Sequence, residues 1–176
     1  MRIATVLAAL LVALVSQASA ADKVGYGPWR FGMTRDEVRS SQAHGPYYTF
    51  RNNDLGTQGG DFEGHRVPIS FGFRDDRLWK ILILLYQDGD YESAVAALER
   101  AFRHIERTFG ATEVPALGLG PRSLSDAINM ASSLREAPTG KVQIGAVPMP
   151  KEVVVYSSLF KQADGQYWVF LYYEEP

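Results

Sequence analysis

Apolar and polar side chains alternate over residues 67–73. Val67, Ile69, Phe71 and Phe73 fall on one side, Pro68, Ser70 and Gly72 on the other. A period of two predicts a strand with one face in a core. Asp75-Asp76 then supplies a turn, and residues 78–86 return as a second strand. A two-residue loop sets Gly72 opposite Trp79, whose ring would cover the bare glycine backbone. The returning strand is apolar on both faces (Trp79, Ile81, Ile83 and Leu85 against Leu78, Leu82 and Leu84), so it is expected at the centre of its sheet.

After Asp90 the period changes to that of a helix. Tyr91, Val95, Leu98, Phe102, Ile105 and Phe109 recur at alternating spacings of four and three, one continuous apolar stripe. Asp90 is its expected N-cap and Gly110 its left-handed terminator. A shorter helix is predicted earlier, where Thr34 and Glu37 have the spacing of a capping box; it runs to about Gln42 and stops before Gly45-Pro46. Trp29-Arg30-Phe31 is read as an extended entry to it.

Residues 111–150 are punctuated by Pro115, Pro121, Pro138, Pro148 and Pro150. Within them residues 123–136 predict a helix, with Ser123 as N-cap and Leu124, Ile128, Ala131 and Leu134 on one face; residues 141–147 predict a strand.

The chain closes with a hairpin whose Asp164-Gly165 suits a two-residue type I′ turn. That turn puts Val154, Tyr156 and Phe160 on the face of Tyr167, Val169, Leu171 and Tyr173, which reads as core. The opposite face then holds Val155, Ser157, Leu159 and Lys161 with Trp168, Phe170 and Tyr172. Large aromatics mixed with Ser and Lys are the composition of a protein-binding surface. The alternative is that residues 111–150 cover it, because large exposed apolar patches are rare on monomers. Hairpins and interspersed helices together predict an α+β fold: a two-layer sandwich, an antiparallel sheet with helices packed on one face.

Composition adds a compartment. Residues 1–20 carry a basic start at Arg2, an apolar run over residues 3–15 and a small-residue cleavage site at Ala18-Ser19-Ala20, the pattern of a secretory signal peptide. The mature chain is then residues 21–176, a length expected to form one domain. Arg2 leaves with the leader, so 17 basic residues face 20 acidic ones, with no basic patch to suggest nucleic acid. The sequence has no cysteine, which excludes disulfides, thiolate metal sites, a cysteine nucleophile and a lipid-bearing cysteine. A soluble periplasmic or secreted protein without a transmembrane anchor is expected.

"FGMTRDEV" (residues 31–38) resembles the Gly-Met-Thr/Ser-x-x-Glu/Gln-Val opening of the SmpA/OmlA (BamE) outer-membrane assembly proteins and of periplasmic domains like the β-lactamase inhibitor protein. "FGFRDDRLWKI" is similar to the Phe-x-Phe-x-Asp-Gly-x-Leu hairpin of those domains, with Asp76 in place of glycine. The resemblance covers the first half of the mature chain. It implies an envelope protein of that fold and carries over no ligand-binding residue.

The search for chemistry returns little. His44, His65 and His104 have no metal-ligand spacing, and His104, off the helix stripe beside Arg100, is expected on a solvated helix face. No Gly-x-Ser-x-Gly elbow occurs. Asp75-Asp76 is explained by the turn. "GLGPRS" (residues 118–123) reads as an anion-cradling loop with Arg122 or as a plain proline-rich helix entry. The expectation is a non-enzymatic periplasmic domain without cofactor, binding a protein or envelope component through Trp168, Phe170, Tyr172, Leu159 and Lys161. A small-ligand or glycan binder, with Trp168 and Tyr172 stacking on the ligand, comes second, and an enzyme without a recognisable motif third.

Overall fold

The computed structural model describes residues 24–113, 123–146 and 149–176; the expected leader and the Gly118–Arg122 part of the anion-cradle candidate lie outside them. The described residues hold ten strands and three α-helices, in the order β1 (Gly25–Tyr26), β2 (Trp29–Arg30), α1 (Arg35–Arg39), β3 (Tyr47–Thr49), β4 (Leu55–Phe62), β5 (His65–Arg74), β6 (Arg77–Asp88), α2 (Tyr91–Phe109), β7 (Thr112–Glu113), α3 (Leu124–Glu136), β8 (Gly140–Ala146), β9 (Val154–Lys161) and β10 (Tyr167–Glu174). Eight strands form one antiparallel sheet in the order β3-β4-β5-β6-β10-β9-β8-β7, and β1 and β2 make a separate small hairpin. The fold is mixed α+β, most of it sheet. No helix of the described residues is long and apolar enough to cross a membrane.

The expected β5–β6 hairpin forms with its two-residue turn. Asp75 and Asp76 both take positive φ (50° and 60°), the left-handed pair a type I′ turn demands. β6 is central, between β5 and β10. One register detail differs from expectation: Phe73 pairs with Leu78, but Gly72 pairs with Lys80. A β-bulge inserts Trp79, so Trp79 and Lys80 both turn to the face that Gly72 leaves bare. The indole still reaches that glycine, with Nε1 3.5 Å from where a Cβ would stand.

Beyond the bulge, Ile81, Ile83 and Leu85 join Val67, Ile69 and Phe71 in the core. α2 supplies the other side of that core: Val95, Leu98, Phe102 and Ile105 are buried, together with Ala94, Ala97 and Ala101 beside them. Each large apolar side chain so buried contributes roughly 1.5–3 kcal/mol. Asp90 accepts a hydrogen bond from the Ser93 amide, and Gly110 ends the helix at φ 94°, a conformation open to glycine. Tyr91 packs on Tyr167 and Phe109 on Tyr173, which places α2 on the face of β10 that carries those two tyrosines.

α3, capped by Ser123 and Asp126 in a reciprocal box, brings Arg135 over Tyr91. α1 begins in the Thr34–Glu37 capping box, buries Val38 completely and lays Arg35 over Phe73 at 4.5 Å. Trp29 of β2, 1% exposed, packs at a tilt against Phe71.

The closing hairpin departs from the two-residue turn. The Gln162 amide donates to the Gln166 carbonyl and the Gly165 amide to the Gln162 carbonyl, leaving a three-residue loop, Ala163-Asp164-Gly165. Only Gly165 has positive φ (85°), the signature of a turn closed by a left-handed glycine, whereas type I′ needs two such residues. One extra loop residue reverses the faces of β9 relative to β10.

Candidate functional site

The observed register pairs Trp168 with Phe160, Phe170 with Ser158, Tyr172 with Tyr156 and Glu174 with Val154. The face of β10 turned away from the helices therefore carries Trp168, Phe170 and Tyr172, as expected, but alongside Tyr156 and Phe160 rather than Leu159 and Lys161. Leu159 is fully buried in the core. Lys161 sits over the Tyr167 ring and donates from Nζ to the Arg135 carbonyl at 2.8 Å. Both belong to the helix-covered side. Tyr156 and Phe160 exchange places with them for one reason, the third loop residue. Glycine beside aspartate in the turn was the available signal, since the same pair also closes three-residue loops.

The rings on this outer face touch one another in two rows. In the first, Arg74 lies 4.4 Å over Trp79, Lys80 lies 5.6 Å from Trp79 and 5.1 Å from Tyr172, and Tyr172 stacks flat on Tyr156 at 4.4 Å. In the second, Trp168 and Phe170 pack at 5.7 Å, Phe170 meets Phe160 edge-on at 6.2 Å, and Lys141 lies 5.1 Å over Phe160. Phe170 and Tyr172, at 6.0 Å, join the rows. Each cation–ring contact contributes about 0.5–1 kcal/mol at an exposed site, and each aromatic pair a similar amount. The side chains are thus held in place by one another.

Glu174 is bonded into this array. It accepts from Lys80 Nζ at 2.7 Å and from the Tyr156 hydroxyl at 3.0 Å. Burial raises the Tyr172 phenol to about 12, and the negative charge of Glu174 adds to the rise. Tyr156 is raised for the same two reasons. Both are neutral hydroxyls throughout the physiological range. Ser158, at the centre of the second row and fully buried, and Trp168 Nε1 have no hydrogen-bond partner among the described residues. An unsatisfied buried polar group costs about 1–3 kcal/mol.

A second cluster lies inside the helix-covered half. His104 was expected on a solvated helix face; instead its Nε2 is 2.7 Å from the Tyr173 hydroxyl and its ring packs on Phe62. The reason is the width of the buried stripe. Ala97 and Ala101 extend the apolar face of α2 around to His104, and the β4–β5 turn closes over it with Glu63 3.5 Å from Nδ1. Arg107 holds the same carboxylate. A carboxylate facing Nδ1 puts the proton there, so Nε2 accepts from Tyr173. This carboxylate–imidazole–hydroxyl line has the order of a proton relay, but Tyr173 is 3% exposed, so the hydroxyl meets no substrate. It is a brace joining α2, β10 and the β4–β5 turn.

The other histidines are placed apart. His44 packs at a tilt against Trp29 and contacts the Gly59 carbonyl through Nδ1, and His65 is an exposed strand end. Among the described residues no three histidine, aspartate or glutamate side chains gather as a metal site. No family model, curated protein or solved structure matches this chain.

Proposed function

We propose that this is an exported, non-enzymatic binding protein of the cell envelope. It engages a partner through the outer face of its sheet, and the helices form the second layer of a two-layer sandwich. The observation that carries the reading is the outer face itself. Five rings, of Tyr156, Phe160, Trp168, Phe170 and Tyr172, lie together half-buried, and their ring contacts among the described residues are with one another and with lysines. A core face would be met by side chains from a covering layer. Aromatic anchors already immobilised lose little rotamer entropy on binding, which favours them as hot spots.

The test compares two neighbours in β10. Trp168→Ala should leave the melting temperature within a few degrees of the parent and abolish capture of the partner from envelope extract. Tyr173→Ala, on the helix-covered face, should lower the melting temperature by several times more; large-to-small core truncations cost about 3–5 kcal/mol, several degrees in a domain of this size. A Trp168 variant as unstable as the Tyr173 variant would make the outer face part of a core and end the proposal.

A further inference from the structure

With no cysteine in the chain, the sulfur open to oxidation is all thioether, in Met1, Met33, Met130 and Met149. Met1 lies outside the described residues. Met33 and Met130 are half-buried against the core, and Met33 Sδ is further engaged by the Arg30 amide at 3.3 Å. Met149 is 42% exposed. It stands in the connection between β8 and β9, where its side chain makes two contacts. Sδ accepts from the Val155 amide, at the start of β9, at 3.4 Å. Cε lies 3.6 Å from where a Cβ of Gly145 would stand. Gly145 pairs with Tyr156, so the methyl group covers bare backbone on the outer face, beside the first row of rings. Both contacts need an unoxidised sulfur. A thioether is apolar enough to lie on the sheet and still a weak acceptor for one amide.

We propose that Met149 is an oxidative modification site: a peroxide converts its thioether to the sulfoxide, and the sulfoxide releases the Val155 amide at the start of β9. Sulfur has two lone pairs. The Val155 amide engages one, and exposure leaves the other open to an electrophilic oxygen. That pair attacks one peroxide oxygen; the S–O bond forms as the O–O bond breaks, and the second oxygen leaves as water after taking up a proton. Sulfur loses two electrons and the peroxide gains them. The oxidised sulfur carries partial positive charge and no longer suits an N–H donor, while its oxygen brings a dipole over Gly145. Methionine sulfoxide reductases return the two electrons and restore the thioether. The proposal does not require the outer face to bind a partner, and its readouts involve none.

The purified protein is treated with dilute hydrogen peroxide, sampled over time and mapped by peptide mass spectrometry. Sulfoxide should accumulate at Met149 roughly fivefold faster than at Met33 or Met130. Amide hydrogen exchange then reads the consequence: Val155 should exchange roughly threefold faster in the oxidised protein, the loss of one weak hydrogen bond, and should recover its original rate after reductase treatment. Met149→Leu keeps the apolar bulk but has no acceptor. Its Val155 amide should exchange fast before any peroxide is added and should not change on treatment. Met33→Leu should leave Val155 as it is in the parent. Melting curves establish that both variants are folded.

Oxidation of Met33 or Met130 as fast as that of Met149 would reject the site. Selective oxidation of Met149 with Val155 exchange unchanged would reject the link to β9. A peroxide response of Val155 that persists in Met149→Leu would assign the effect to another residue and overturn the proposal as a whole.

Discussion

His104 shows how one side chain can be misread from its neighbours. Arg100, four residues before it, places it off the stripe, yet alanines at 97 and 101 widen the buried face enough to take it in. Burial depresses its pKa below the usual value; Glu63 opposes the shift and Arg107 adds to it. The groups facing the ring are Glu63, Arg107, Tyr26 and Tyr173, and both tyrosines are themselves raised by burial. In the window below the unfolded value of about 6.5, the unfolded chain binds the proton that folded His104 refuses. Stability from this site is thus complete above that pH and declines as pH falls through it. Urea unfolding between pH 7.5 and 5.5 should show that decline in the parent and a flatter profile in His104→Gln. A variant with the parental slope would mean that His104 titrates as freely folded as unfolded.

At the scale of elements, legibility followed side-chain pattern. α2 was readable because an unbroken stripe of large apolar residues has few other arrangements. Phe102→Ala should cost about 3–5 kcal/mol, and the exposed Arg103→Ala less than ~0.5 kcal/mol; equal losses in denaturant melts would contradict the helix phase. β4 was not readable, because Leu-Gly-Thr-Gln-Gly-Gly-Asp-Phe has no alternation. Its glycines are there for neighbours: the Tyr48 ring lies where a Cβ of Gly56 would be, and the Ile69 side chain where that of Gly60 would be. A strand chosen for what crosses it leaves little periodic trace. The β5–β6 turn is a third case, legible in length though it has Asp76 at the second positive-φ position. Asp76→Gly removes that strain and an ion pair with the half-buried Arg35 in which the aspartate is exposed, so the pair is expected to contribute little. It should raise stability by up to about 1 kcal/mol, measured as a higher urea midpoint at unchanged slope; a lower midpoint would give Arg35–Asp76 the larger share.

For the whole molecule, the sheet and its helices were expected in kind, while the composition of the outer face was not. Trp168, Phe170 and Tyr172 were legible from alternation alone. Their companions required the loop length of the last hairpin and the bulge in β6, both set by backbone conformation that many sequences share. The cation–ring contacts of the face were invisible for a related reason: Arg74, Lys80 and Lys141 are dispersed along the chain and reach the rings only through strand pairing. Export is the remaining claim at this scale. Expressed with its leader in a bacterial host, the protein should be recovered from the periplasmic or extracellular fraction beginning at Ala21; N-terminal sequencing that returns Met1 would remove the compartment from the proposal.

The bulge at Trp79 also makes chain length locally redundant. β6 spends two residues there where β5 spends one, so the ladder would close over the loss of either without re-phasing. Shortened by one residue at that point, the strand would still deliver Ile81, Ile83 and Leu85 to the core. Deletion of Leu82, where the ladders to β5 and β10 are both regular, has no such slack and would turn part of that core outward. Tolerance to a lost codon in the longest strand is therefore expected at this dipeptide, on the outer face beside Arg74, and at Leu85, the extra residue where Val169 pairs with Tyr86 and Phe170 with Leu84.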